Sequence, residues 1–338
     1  MPGAATTAVV GSRRGTQHAE GPATIIAIGT ANPANIVPQD EFADYYFGLT
    51  KSEHLTELKD KMKRICQKSG IEKRYNHPYE EIITAHPEII DKHMPSLEAR
   101  VDIVASELAS LLGLRPTVSR AILSLHGCSG GARALQLAKE LVENNRGARI
   151  LVALSELTLI CFSAPDESKI VGHGLFGDGA GAIIIGAGPL ADGERPLFEM
   201  ATSSGIDFHI SIQLPTLIRD NIQQSLLHSF CSVGNTNTKW NDLFCAVHPG
   251  GRMILDNIEG ELQLQPWKLA ASRQVLREYG NMSGATIAFV LDELRQCREK
   301  EKQEPEQPEW GVMLAFGPGI TIETMILRNP LPHGLMEN

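Results

Sequence analysis

Three residues have the types and surroundings for covalent chemistry. Cys128 stands in HGCSGG, where an apolar run gives way to a helical pattern. Glycines on both sides permit a tight turn and close backbone approach. The helix that follows points its positive N-terminal end at the sulfur, a setting that lowers a thiol pKa and makes a nucleophile. A small buried thiol in a packed turn is the alternative. His248 ends the apolar run LFCAVHPG and projects at a sheet edge, where the clefts of α/β proteins open. It could pair with a thiolate or donate a hydrogen bond to a carbonyl oxygen; a satisfied structural histidine is the other reading. Asn281, in YGNMSGA, either joins a helix C-cap to the next N-cap or offers its amide to an oxyanion.

The elements that must position these groups alternate along the chain. ATIIAIGTANP (23–33) reads as a buried strand ending in a turn, and 40–46 and 53–66 as helices, with Gly70 as a C-cap. Residues 96–111 read as a helix, and SRAILSLHG (119–127) as the strand that feeds the Cys128 turn. An amphipathic helix over 130–147, a buried strand over 148–157 and a Gly-punctuated strand over 175–188 follow. PLFEMAT (196–202) is a shorter strand, 215–230 a helix, and 243–250 the strand that ends on His248. RMILDNIEGELQ, PWKLAASRQVLREYG and GATIAFVLDELRQCREKEK are helical, EKEKQEPEQPE is a solvated loop, and 310–328 is a closing hairpin. This order predicts a layered α/β fold. The halves look alike: each has a strand, a reactive-looking residue at its end, then a helix. The expected organisation is a disordered tail over 1–20 and two halves, 21–190 and 191–330.

Bulk properties exclude several classes. The net charge of −9 over 338 residues argues against a nucleic-acid partner, which needs a clustered positive surface. The six cysteines, at 66, 128, 161, 231, 245 and 297, include no C-x-x-C pair, so neither a metal knuckle nor a disulfide framework is expected. No apolar run approaches the roughly 20 residues of a membrane span, and the first twenty residues lack the apolar core of a secretory signal. A reducing, cytoplasmic location is the expectation.

Eight stretches together resemble the type III polyketide synthases, the chalcone and stilbene synthase superfamily. They are IGTANP (28–33), TELKDKMKRICQKSGIEKRY (56–75), LLGLRP (111–116), GC (127–128), LFGDGA (175–180), WNDLFCAVHPGG (240–251), YGNMSGA (279–285) and FGPG (316–319). Within the family, WNDLF, LAASR and YGNMSGAT look similar to plant curcuminoid synthases. The resemblance implies a thiolase-like αβαβα fold and a homodimer. It also implies decarboxylative condensation of malonyl-CoA with an aromatic acyl-CoA such as 4-coumaroyl-CoA, with no metal and no cofactor beyond the coenzyme A thioesters. In that reading Cys128 carries the starter as a thioester and is held as a thiolate by ion pairing with His248. His248 and Asn281 polarise the malonyl carbonyl. Phe176 and Phe208 match the two gatekeepers, and Cys161 falls where a cavity threonine stands in chalcone synthases. Gly172 and Ser283 match cavity positions, and Pro318, with Gly317 and Gly319, matches the scaffold loop behind the site. Lys61, Arg64 and Lys68 match the residues that contact coenzyme A phosphates; their i, i+3, i+7 spacing puts them on one helix face.

The sequence also departs from the family. VDIVASELASLLGLRP runs straight through where the family has several tens of further residues, forming a helix, a core strand and the loop that reaches the partner subunit's cavity. Shorter gaps fall between FEMATSS and GIDFH and before GHGLFGDG, and Ser129 follows the cysteine where the family usually has Phe. A parallel sheet that loses an interior strand must re-pair or leave backbone groups unsatisfied. The expected fold is therefore incomplete in its N-terminal half. A catalytically inactive, truncated paralogue or splice form that pairs at most with intact subunits, as a heterodimer, is the alternative function.

Overall fold

The computed structural model describes residues 18–77, 80, 81, 84, 112–115, 117–123, 126–158, 162–190, 194–207, 214–234, 238–300, 308–317 and 321–330. In chain order the elements are β1 (Ala23–Ala31), β2 (Asn35–Pro38), α1 (Phe42–Leu49), α2 (Thr56–Lys68), β3 (Lys73–Asn76), α3 (Gly130–Asn144), β4 (Arg149–Glu156), α4 (Ile170–Leu175) and β5 (Gly179–Ala187). The second half holds β6 (Phe198–Asp207), α5 (Leu214–Ser232), β7 (Phe244–Val247), α6 (Arg252–Glu261), α7 (Ala270–Tyr279), α8 (Thr286–Lys300), β8 (Trp310–Gly317) and β9 (Thr321–Arg328). The expected helix at 96–111 and the expected tail up to residue 17 lie outside the described residues. From Ala19 the chain is tied down, its N–H donating to the Glu143 carbonyl at 2.8 Å.

Seven strands form one sheet in the order β4-β5-β1-β6-β9-β8-β7. The order contains an internal repeat. In the first half β5 runs antiparallel between β4 and β1, and in the second β9 runs antiparallel between β8 and β6. The halves join where β1 meets β6, through three residue pairs, Ala23 with Met200 to Ile25 with Phe198. On the outer edge of β8 lies β7, parallel to it. Its counterpart outside β4 is missing among the described residues. The expected α/β layering thus holds, and the sheet is mostly antiparallel.

One face of the sheet packs on α3 and α8, through Leu135 and Val142 of α3 and Ile287 and Leu291 of α8, against Ile25, Ile183, Met200 and Met313. The other face of the second half is covered by α5 and α6, where Ile222, Phe230 and Ile258 meet Val247, Leu314 and Ile326. A third cluster joins α1, α2 and α4 through Tyr46, Phe47, Met62 and Ile170. These apolar interiors supply the main favourable contribution to stability.

Two sequence expectations fail for the same reason. Residues 117–123 form no strand, and Ile122 and Leu123 are 45% and 40% exposed. The strand over 148–157 forms but is not buried: Val152 is its one fully buried residue, and Leu151 is 39% exposed. A strand needs a neighbour for its backbone N–H and C=O groups. Among the described residues neither segment has a pairing partner on that side, and β4 stands at the edge of the sheet.

Candidate active site

Cys128 lies in a 3-10 turn, Gly127–Ser129, that runs directly into α3. Gly127 takes a left-handed φ of 51°, which favours glycine. A Cβ on Gly131 would come within 2.2 Å of the Gly284 carbonyl oxygen. The start of α3 and the turn Ser283–Ala285 therefore touch backbone to backbone. Ser129 is buried and donates to the His126 carbonyl at 2.9 Å. A Cβ at Gly317 would collide with its hydroxyl oxygen at 2.1 Å, so glycine at the end of β8 makes room for the cysteine turn.

Asn281 enters from α7 through Gly280, which sits at φ 70°. Its backbone N–H donates to the Leu175 carbonyl and its own carbonyl accepts from Gly177, both at 3.0 Å. The side-chain oxygen accepts the Ser283 N–H at 2.8 Å, and Nδ2 donates to the Gly250 carbonyl at 3.2 Å. These partners fix which end of the amide is which. Both ends lie 3.7 Å from the Cys128 sulfur.

His248 follows the last residue of β7, its N–H donating to the Leu314 carbonyl at 2.8 Å. The ring is fully buried, and among the described residues neither nitrogen has a hydrogen-bond partner. Its link to Asn281 runs through Gly250, whose N–H donates to the His248 carbonyl and whose carbonyl accepts from Asn281. The structure thus brings Cys128 and Asn281 together, while His248 makes no hydrogen bond to the sulfur.

Burial sets the protonation states. It pushes the Cys128 thiol up to about 11, with hydrogen bonds from Asn281 and Ser283 pulling back and the Glu156 charge adding to the rise. It pushes His248 down to about 4. Both groups are neutral at pH 7, because a desolvated charge is costly. Where the helix N-terminus led to an expectation of a lowered thiol, desolvation raises it.

Phe176 follows α4 and forms an isolated parallel bridge with Asn281, its ring 37% exposed. Gly172 lies beneath that ring; a Cβ there would sit 3.2 Å from Phe176 Cε2. Ser283 has a left-handed φ of 48°, and its proximity pulls back the burial-driven rise of both the Cys128 thiol and the Glu156 carboxyl. Arg64 and Lys68 are exposed on α2, while Lys61 is held by Glu167. Cys161, Phe208 and Pro318 lie outside the described residues. Sequence reasoning missed three supporting residues. Fully buried Arg74 donates to the His173 and Phe176 carbonyls at 2.8 and 2.7 Å. Buried Asp178 accepts from the backbone and side chain of both His77 and Thr158. Glu156, at the end of β4, accepts the Gly284 N–H at 3.0 Å, and burial pushes its carboxyl up to about 7. The available signal for Glu156 was an acid closing an otherwise apolar strand, ILVALSE. Among the described residues no group of three His, Cys, Asp or Glu could hold a metal ion, and no helix is long and apolar enough to cross a membrane.

The family model described as chalcone and stilbene synthases, N-terminal domain, matches residues 10–111 and 106–189, and the one for the C-terminal domain matches 190–330. The chain belongs to the chalcone and stilbene synthase family. It is therefore a type III polyketide synthase by family, an acyltransferase fold whose chemistry runs on coenzyme A thioesters without a further cofactor. It is 45% identical to the bisdemethoxycurcumin synthase of Oryza sativa subsp. japonica over 384 aligned positions, covering 94% of this chain and 95% of that protein. The alignment is longer than the 338 residues of this synthase, so it opens gaps in it. The two stretches matched by the N-terminal family model meet at 106–111, where the largest gap is read from the sequence.

Proposed function

We propose that this synthase loads an aromatic acyl-CoA, such as 4-coumaroyl-CoA, onto Cys128 and condenses it with malonyl-CoA. The juxtaposition of the Cys128 sulfur and the Asn281 amide, 3.7 Å apart, supports this most directly. In loading, neutral His248 takes the thiol proton, sulfur attacks the starter carbonyl, and coenzyme A leaves as a thiolate that is then protonated. A buried imidazolium and thiolate would offset each other's desolvation, which neither can do alone. In condensation, the malonyl C–C bond breaks and carbon dioxide leaves. The electron pair becomes an enolate whose oxygen is bound by the Asn281 amide and the His248 ring. That carbanion attacks the acyl carbon, and the Cys128 sulfur departs. Donors fixed in advance, and needed only once charge develops, lower the barrier most.

In this reading Phe176 and Phe208 gate the cavity, with Gly172, Cys161, Ser283 and Pro318 as walls. Lys61, Arg64 and Lys68 hold the coenzyme A phosphates. The halves divide near residue 190, and the protein works as a cytoplasmic homodimer. The test is carbon dioxide release from labelled malonyl-CoA. Release that rises on adding 4-coumaroyl-CoA and falls by about 10²–10³-fold in Asn281→Ala supports the reading; release that ignores both contradicts it.

The open outer edge of β4 favours a second reading, a subunit that contributes no turnover and pairs with intact relatives. Cooperative unfolding and starter-dependent turnover of the protein expressed alone would exclude it.

A further inference from the structure

We propose that Glu156 is a positioning residue for Asn281: its carboxylate fixes the Ser283–Ala285 turn, and that turn fixes the amide facing the Cys128 sulfur. The inference rests on the condensing-enzyme reading and extends it to a residue from the opposite half of the chain.

The contacts form a short relay. Glu156 Oε1 accepts the Gly284 N–H at 3.0 Å. The preceding residue, Ser283, donates its N–H to Asn281 Oδ1 at 2.8 Å. The left-handed conformation of Ser283, at φ 48°, is uncommon for a residue with a side chain and persists only where its surroundings hold it. Those surroundings are confined. A Cβ on Gly284 would lie 2.8 Å from Glu156 Oε1 and 3.0 Å from the Gly131 N. The turn thus sits between the first residues of α3 and the end of β4. With Oδ1 committed to Ser283 and one Nδ2 hydrogen to Gly250, the second Nδ2 hydrogen is left for the sulfur side. Removing the carboxylate releases the turn from one wall and orphans the Gly284 donor, and the amide is free to rotate away. The hydrogen bond of the carboxyl is to the Gly284 backbone, at 3.0 Å, and not to a side chain assigned to the malonyl carbonyl. Burial raises the carboxyl to about 7, because a desolvated carboxylate is disfavoured, while the Gly284 hydrogen bond works against that rise.

The experiment compares Glu156→Gln and Glu156→Ala, each alone and in an Asn281→Ala background, by malonyl-CoA decarboxylation. The Gly284 amide proton is followed in parallel by NMR of glycine-labelled protein. A glutamine oxygen can still accept the Gly284 N–H; alanine cannot. We expect E156A to lower kcat about tenfold with KM for malonyl-CoA nearly unchanged, E156Q to recover most of that loss, and E156A to cost nothing further once Asn281 is gone. The Gly284 proton should move upfield in E156A and stay near its wild-type position in E156Q. An equal kcat loss with and without Asn281, or a Gly284 resonance indifferent to E156A, would overturn the assignment. If the wild-type protein releases no carbon dioxide, the functional reading fails, and the Gly284 resonance still decides whether Glu156 holds the turn.

Discussion

Phe176 and Asn281 are joined by an isolated parallel β-bridge, although they come from opposite halves of the chain. The bridge lies between a 3.0 Å bond from the Asn281 N–H to Leu175 and another from the Gly177 N–H to Asn281. The partly exposed Phe176 ring and the amide beside the Cys128 sulfur therefore share one backbone attachment.

Gly172 is the point at which to test this coupling. A methyl group there would press on the Phe176 ring at 3.2 Å, and the ring must give by a few tenths of an ångström. Gly172→Ala should lower kcat/KM for an aromatic starter about tenfold, with a smaller effect on a short aliphatic acyl-CoA. Steady-state kinetics with both starters checks it.

Asn281→Ala removes a donor from the site of developing charge. Carbon dioxide release should fall by about 10²–10³-fold, while starter loading on Cys128, read by intact mass, persists. Loss of both steps would instead point to collapse of the turn.

The acid response has a defined sign. His248, at about 4 in the folded state against 6.5 when unperturbed, is bound by fewer protons folded than unfolded between those values. Its contribution is complete above pH 6.5 and is lost as pH falls toward 4, a loss of about 3 kcal/mol for a shift of this size. His173, also held near 4, adds to it. Glu156, raised to about 7 from 4.5, acts oppositely: its effect favours folding at low pH and fades as pH rises through 7. Urea unfolding of His248→Gln should therefore show a flatter stability profile between pH 6.5 and 4 than wild type.

Lys61 is held by Glu167, whereas Arg64 and Lys68 stand exposed on the same helix. Arg64→Glu should raise KM for malonyl-CoA about two- to fivefold with kcat unchanged, and Glu167→Gln, by freeing Lys61, should lower it. A change confined to kcat would contradict the phosphate-binding role.

The local elements were legible because their signals are local. The apolar run 23–31, the helical period of 56–68 and the Gly317 hairpin each declare themselves within a few residues. The pairing of Cys128 with Asn281 could not be derived from spacing, since 153 residues separate them; the resemblance of the motifs carried it. Pairing partners decided the failures. Residues 119–123 have a strand-like composition but no ladder to join among the described residues, and β4 reads as a buried strand while standing at the edge of the described sheet. The thiol was misjudged because its helix dipole is visible in the sequence and its desolvation is not. Arg74, Glu156 and Asp178 went unnoticed because a buried charge looks like any other charge until its partners are known.

The central claim is that Cys128 is an acyl-carrying nucleophile in this folded chain. Intact-mass measurement of the purified protein after incubation with 4-coumaroyl-CoA, beside Cys128→Ala, tests it most directly. The account predicts one starter-sized adduct on the wild type and none on the variant. A folded wild-type protein that stays unmodified, or an adduct that persists in the variant, would contradict it.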